Sequence, residues 1–184
     1  MDQAEAGEML EGFPPIIGER PQVLILGSMP SVKSLEYGQY YGHPRNHFWV
    51  IVFGLLEESV PQEYEQRVQA LQRSGIAVWD AIGSCRRAGS LDQSIRDERP
   101  NDVVALLRRF PSIKLIVFNG RKAEQMFYRG VKNLYGDDAH ERVPELNTRE
   151  FMRLPSSSPI PTRKHKLWQD KLDEWRIILK YLQT

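Results

Sequence analysis

The chain has 184 residues, of which 41% are hydrophobic and 27% charged, as in an ordinary globular domain. Its net charge of +1 excludes a strongly basic nucleic-acid-binding protein but leaves room for a local basic face. One cysteine, Cys85, excludes an internal disulfide and a four-cysteine iron–sulfur cluster. The acidic N-terminus lacks a signal-peptide pattern, and no apolar run approaches the roughly 18 residues of a membrane helix. These features predict a soluble, intracellular protein without membrane contact.

Short apolar segments alternate with helical patterns along the chain. The predicted strands are 23–26, 76–82, 114–118 and 151–154. The predicted helices are 48–56, 62–73, a helix from the Pro100-Asn101-Asp102 cap to about Arg109, 121–128 and 167–182. Residues 1–20, 83–95 and 130–149 are predicted to be irregular. Because strands and helices alternate, the chain is predicted to form one α/β domain, 1–184, with a parallel sheet and right-handed crossovers.

The stretch Leu24–Trp49 is the most informative part of the sequence. An apolar strand breaks at Gly27, and a polar loop with Tyr40 and Tyr41 leads to Asn46 at the start of a helix. Open α/β folds place ligands at the carboxyl ends of their strands. A backbone turn, stacking rings and an amide together favour a planar base over a phosphate as the ligand.

Several common catalytic and cofactor motifs are absent. No Walker lysine motif and no GxGxxG follows a strand, which disfavours nucleotide-cofactor folds. Without a GxSxG motif, Ser28 and residues 156–158 are poor candidates for a nucleophile. His43 and His47 have a metal-like spacing, but Pro44 separates them and no third ligand is near. No metal site is predicted.

Five segments carry a resemblance to a known family: LGSMPS, GHPRNHFW, GIAVWDAI, FNGRKA and LPSSSP. In this order and at strand ends, over about residues 22–182, they resemble the uracil-DNA glycosylase superfamily. The sequence is most similar to the hypoxanthine-DNA (deoxyinosine) glycosylase branch. The resemblance implies a three-layer sandwich with a central four-stranded parallel sheet flanked by helices. It also implies a monofunctional DNA glycosylase of base excision repair, which flips a deaminated base out of DNA and releases it by hydrolysis. Hypoxanthine is the base that the resemblance favours. The enzyme is expected to be a monomer and to need no cofactor.

Two positions depart from the superfamily pattern. The first motif usually supplies an Asp or Asn that positions water, and the last motif a His or Asn that stabilises the leaving base; here these positions are Met29 and Leu154. Apolar side chains can do neither, which disfavours ordinary uracil excision. The hypoxanthine branch implies that Asn46 is the catalytic residue and positions water or contacts the leaving base. The alternative is that Asn46 only caps the following helix, and both roles are compatible.

The resemblance also implies a set of base-binding residues. Tyr41 corresponds to the aromatic that stacks on the flipped base, although it is alternatively a core tyrosine. Asp80, as an ionised carboxylate, accepts a hydrogen bond from N1–H of hypoxanthine, unless it is paired with Arg86 or Arg87. Ser31 replaces a bulky tyrosine of uracil-specific members and leaves room for a purine. The full predicted set is Gly27, Ser28, Met29, Ser31, Tyr41 and Asp80.

The DNA backbone is expected to lie on the strand-end loops. Gly120 and Arg121 begin a helix and offer N–H groups to a phosphate, and Ser156 is implied to contact another. Residues 157–160 are implied to enter the duplex, with Ile160 as a wedge. Basic side chains beside this loop bind phosphates or merely form a solvated turn. The predicted DNA-binding residues are Gly120, Arg121, Ser156, Ser157, Ser158, Ile160, Arg163 and Lys164.

Three other functions remain open on the sequence. The first is a mismatch uracil-DNA glycosylase. The second, supported by Met29 and Leu154, is a DNA-binding module of the same fold without activity. The third is a nucleosidase acting on a small molecule. The expected partner is double- or single-stranded DNA carrying a deaminated base, in the cytoplasm of a bacterium or archaeon or in the nucleus of a eukaryote.

Overall fold

The computed structural model describes residues 8–182. Its strands are β1 (Met9–Glu11), β2 (Val23–Gly27), β3 (Ile76–Asp80), β4 (Ile82–Arg87), β5 (Ile95–Pro100), β6 (Leu115–Asn119) and β7 (Glu150–Leu154). Its α-helices are α1 (Val32–Tyr37), α2 (Phe48–Leu56), α3 (Tyr64–Ser74), α4 (Val103–Arg109), α5 (Arg121–Tyr135), α6 (Ala139–Arg142) and α7 (Trp168–Trp175). In this part of the chain, no helix is both long and apolar enough to span a membrane.

The four predicted strands form one parallel sheet in the order β3-β2-β6-β7, which confirms the predicted fold. Every residue of β2 is buried, as expected for a central parallel strand. Successive side chains of a strand point to opposite faces, and β2 shows this directly. Leu24 and Leu26 pack with residues of α4 and α5, whereas Val23 and Ile25 pack with residues of α2, α3 and α7. Helices therefore cover both faces of the sheet.

A second, antiparallel sheet of order β1-β4-β5 was not predicted. Residues 83–95, expected to be a loop, instead contain most of β4 and the beginning of β5, and β1 lies within the expected irregular lead-in. The first seven residues of that lead-in fall outside the described residues. The strand β5, IRDERP, buries only Ile95 and is otherwise too charged to be recognised. Its conformation depends on pairing with β4, because strand formation follows context more than local propensity.

Helical structure is also more extensive than predicted. The helix α1 lies in the expected loop: the Ser31 hydroxyl accepts from the N–H of Ser34, and Gly38 ends the helix with a left-handed backbone. The helix α5 continues to Tyr135 and is followed by α6, so the prediction that 130–149 is irregular was wrong. The last helix ends at Trp175 and continues as a 3-10 segment to Tyr181.

The carboxyl ends of the parallel strands meet at one edge of the sheet. Gly27 of β2 pairs in register with Asp80 of β3, and Asn119 of β6 pairs with Leu154 of β7. The loops that follow these strands therefore converge at this edge.

Candidate active site

A cavity of about 460 Å³ opens at the carboxyl edge of the parallel sheet. Most of the residues predicted to form the site line it. These are Gly27, Ser28, Met29, Ser31, Tyr41, Asn46, Asp80, Ser156, Ser157, Ser158 and Ile160. Gly120, Arg121, Arg163 and Lys164 are not among its lining residues. The predicted base-binding set is thus assembled in one place from segments far apart in the sequence.

Asp80 is buried against the backbone of Gly27. Asp80 is 4% exposed, and a Cβ placed on Gly27 would lie 2.4 Å from its Oδ1. Only glycine therefore allows the carboxylate this position. Of the two arginines considered as partners of Asp80, Arg87 donates from Nη2 to the Pro30 carbonyl at 2.6 Å, and Arg86 Nε lies 3.5 Å from Asp97 Oδ2.

Tyr41 contacts both the core and the cavity. Its ring stacks on Phe48, with centroids 3.9 Å apart, and its remaining surface lines the cavity. Its φ of +53° is left-handed, which is uncommon for a non-glycine residue. Burial, and then the nearby charge of Asp80, raise the pKa of Tyr41 well above its ordinary value. The phenol therefore stays neutral and keeps its proton as a hydrogen-bond donor.

Asn119 is a site residue that sequence reasoning missed. Its Nδ2 donates to Tyr41 Oη at 3.1 Å and to Ser157 Oγ at 2.9 Å, and its Oδ1 accepts from the N–H of Ser157 at 2.8 Å. One side chain at the end of β6 therefore joins the first loop to the last. A polar residue at the end of a buried strand, at the same edge as Gly27 and Asp80, was the available signal.

The position of Asn46 allows both roles considered for it, contact with water or the base and a hydrogen bond to the start of α2. Its Oδ1 accepts from the N–H of Phe48, the first residue of α2, at 2.9 Å, although the N-cap position itself is His47; Asn46 also lines the cavity. Within the part of the chain that the structure describes, its amide nitrogen has no protein partner. That nitrogen remains available to a ligand.

A buried lysine of α7 anchors the last loop. Lys171 is 3% exposed; its Nζ donates to the Ser158 carbonyl at 2.7 Å and lies 3.2 Å from His47 Nδ1. The N–H of His47 donates to the Ser157 carbonyl at 2.8 Å. Burial lowers the pKa of Lys171, and burial together with the charge of Lys171 lowers the pKa of His47. A neutral His47 accepts the ammonium hydrogen bond at Nδ1.

The two departures from the superfamily pattern differ in position. Met29 is buried and lines the cavity, whereas Leu154 is buried in the core and is not among the lining residues. Neither presents a polar atom to a ligand. Among the residues that line the cavity, Asn46 is the carboxamide nearest in sequence to the first motif.

Some of the predicted DNA-binding residues line the cavity and the others do not. Residues 156–160 line the cavity, and Ile160 is 67% exposed. The N–H of Gly120 already donates to the carbonyls of Phe118 and Leu154, at 2.9 and 3.1 Å, which argues against the predicted phosphate contact through that group. Arg163 and Lys164 are exposed, and Lys164 forms an ion pair with Glu174 at 2.6 Å.

Comparison with known proteins gives matches over nearly the whole chain. Residues 14–183 match the model of the uracil DNA glycosylase superfamily. The chain is 42% identical to the hypoxanthine DNA glycosylase of Methanosarcina acetivorans over 171 residues, which cover 92% of this chain and 98% of that protein. It is 40% identical to the hypoxanthine DNA glycosylase of Methanosarcina barkeri over 114 residues, 61% of this chain and 72% of that protein.

A solved structure has the same fold. The solution NMR structure of a Methanosarcina acetivorans protein, studied as a candidate uracil DNA glycosylase, superposes with a TM-score of 0.74 and 32% identity, covering 96% of this chain and all of that one. Sequence, fold and the arrangement of the strand-end residues agree, and the chain belongs to the uracil DNA glycosylase superfamily.

Proposed function

We propose that this protein is a monofunctional DNA glycosylase that flips hypoxanthine out of DNA and releases it by hydrolysis, in base excision repair. The observation that carries the proposal is the buried carboxylate of Asp80, held against Gly27 in a cavity that also contains Tyr41 and Asn46. The similarity to two proteins named hypoxanthine DNA glycosylase supports the choice of base. The enzyme acts as a monomer on double- or single-stranded DNA.

Base recognition follows from the hydrogen-bonding chemistry of Asp80. An ionised carboxylate only accepts hydrogen bonds. Hypoxanthine carries a proton on N1 and satisfies it, whereas adenine presents a lone pair at N1 and is repelled. The Tyr41 ring stacks on the base, and base–aromatic stacking is worth about 1–3 kcal/mol. The small side chain of Ser31, which also lines the cavity, leaves room for the second ring of a purine.

Hydrolysis needs water at C1′ and a stabilised leaving base. The water oxygen forms a bond to C1′ as the N9–C1′ bond breaks, and the bonding electrons leave with the base. The water loses one proton and the base takes one up, so the two changes balance. Asn46 is the catalytic residue: its Nδ2 can donate to the departing base, and the second lone pair of its Oδ1 can accept from the water. Met29 and Leu154 supply neither group, whereas the amide nitrogen of Asn46, which has no protein partner among the described residues, can take this role.

The experiment is base release from duplexes containing inosine, uracil or xanthine, measured in single turnover with strand cleavage at the abasic site. The wild-type protein is expected to release hypoxanthine. Asn46→Ala should lower the rate by about 100-fold, the order seen when one donor to a developing charge is removed. Asn133→Ala, the same exchange at an exposed position of α5, is the matched control and should match wild type.

Release of no base from any duplex would refute the proposal. An unchanged rate for Asn46→Ala would refute the role of Asn46. Salt-dependent DNA binding without release would instead favour an inactive DNA-binding module, and turnover of free inosine would favour a nucleosidase.

A mismatch uracil-DNA glycosylase is the second candidate. The carboxylate of Asp80 can accept N3–H of uracil as readily as N1–H of hypoxanthine, since both are donors at the same edge of the base. Faster release of uracil opposite guanine than of hypoxanthine, with both duplexes at the same concentration, would favour this candidate over ours.

A further inference from the structure

The connection between β4 and β5 reaches the mouth of the cavity. This hairpin tip consists of residues 88–94, and three of its members, Ser90, Leu91 and Gln93, line the same cavity as Asp80 and Ile160. It belongs to the small antiparallel sheet and not to the strand-end loops of the parallel sheet.

The hairpin tip is held in place by two contacts with the segment that follows β2. Arg87 is buried, and its guanidinium donates to the carbonyl of Gly89 at 2.8 Å and to that of Pro30 at 2.6 Å. The N–H of Val32 donates to Ser90 Oγ at 2.9 Å. The tip is therefore a positioned part of the site and lies beside the turn that forms the base pocket.

Leu91 presents an apolar side chain at this position. It is 63% exposed, and Ile160 is 67% exposed. Among the large hydrophobic side chains that are exposed in residues 8–182, these two alone line the cavity. Leu91 lies in the β4–β5 connection and Ile160 in the loop after β7, about 70 residues apart in the chain. A single exposed leucine is ordinary, but two exposed apolar side chains at the mouth of one cavity are typical of a surface that a ligand covers.

We propose that Leu91 is a second apolar DNA contact, which packs against the base or sugar of a nucleotide beside the flipped one while Ile160 contacts the stack from the other loop. This inference rests on the proposed function to the extent that DNA is the ligand. When a nucleotide enters the cavity, its neighbours in the strand must lie over the cavity mouth, where Leu91 is. Apolar side chains that contact base steps are a common device of proteins that distort DNA.

The test measures binding to a fluorescent duplex that carries a tetrahydrofuran abasic-site analogue, by anisotropy over a series of salt concentrations. Leu91→Ala is expected to weaken binding by about tenfold, the order expected for truncating a leucine that becomes buried. The slope of log K against log salt should stay unchanged, because Leu91 meets no phosphate. Leu91→Ala with Ile160→Ala should give additive losses, because the two side chains act as separate contacts.

The matched control is Leu134→Ala, which truncates a leucine that is 47% exposed near the far end of α5. It should bind as wild type. Wild-type binding by Leu91→Ala, an equal loss in Leu134→Ala, or a changed salt slope would each overturn the proposal. Slower base release by Leu91→Ala with unchanged binding would also overturn it, since Leu91 would then cover the base only. Because the analogue has no base to release, a failure of the proposed chemistry does not alter this readout.

Discussion

Gly27→Ala tests how closely the pocket depends on the approach of Asp80 to the backbone. The added Cβ would lie 2.4 Å from Asp80 Oδ1 and 3.1 Å from Tyr41 Oη, whereas ordinary contact begins at 3.4 Å. The carboxylate must therefore retreat by about 1 Å (3.4 minus 2.4) from the position in which it lines the cavity. A misplacement of this size can cost about 100-fold in rate.

The expected effect on stability is much smaller than the effect on activity. Alanine is favoured over glycine in a strand by about 0.5–1 kcal/mol, which offsets part of the strain. We expect single-turnover release of hypoxanthine to fall by about 100-fold, while the free energy of unfolding in urea changes by about 2 kcal/mol or less. In an Asp80→Ala background, Gly27→Ala should have little further effect, because the clashing oxygen is gone.

Gly54→Ala provides the matched control. It makes the same exchange in α2, where the nearest atoms are the flexible methyl groups of Leu172 at 3.3 Å, so base release should stay at the wild-type rate. If Gly27→Ala releases hypoxanthine at the wild-type rate, the carboxylate position does not determine base recognition and the reasoning fails.

Three further predictions concern the contacts that hold the last loop. Asn119→Leu removes the hydrogen bonds to Tyr41 and to Ser157. The variant should lower the free energy of unfolding in urea by about 1–3 kcal/mol and should slow base release. A fully active variant would contradict the role of Asn119 as a bridge between the two loops. Lys171→Met should slow base release but change the free energy of unfolding by only about 1 kcal/mol in either direction. The reason is that the lost hydrogen bond to Ser158 is offset by the removal of a buried charge. A free energy of unfolding lowered by several kcal/mol would argue against this balance. His47 has a pKa below its ordinary value of 6.5, so the unfolded chain binds its proton first and stability should fall as the pH drops through about 6.5. This part of the pH dependence should disappear in His47→Gln, and an unchanged profile there would assign it to another group.

Most of the parallel sheet and its helices were predictable because their signals are local. Apolar runs identify β2, β3, β6 and β7, and Asp102 caps α4 as its side-chain chemistry predicts, accepting from the N–H of Ala105 at 3.0 Å. The residue types at the strand ends also pointed to a base-binding site, and Asn46 and Asp80 both line the cavity. The location of these elements followed from sequence patterns within a few residues of each one.

The strands of the small sheet were missed because their pairing is the only strong signal. The sequence IRDERP has no alternating apolar pattern, and it is extended because β4 supplies its hydrogen-bond partners. The same holds for β1, which pairs with β4 across more than 70 residues of chain. The hairpin tip that carries Leu91 depends on this pairing, so its place at the cavity was not visible from the sequence.

By itself, the sequence determined where the main strands lie, which helices follow them and which chemical groups stand at the strand ends. Only the tertiary structure decided how those groups are held: Asn119 reaches Tyr41 across 78 positions and Ser157 across 38, and Lys171 reaches His47 across 124. The physical reason is that the donors and acceptors of these bonds are distant in the chain and meet only because parallel strands end at one edge of the sheet. A polar side chain therefore shows its chemistry in the sequence, but its partner and its burial appear only once the chain is folded.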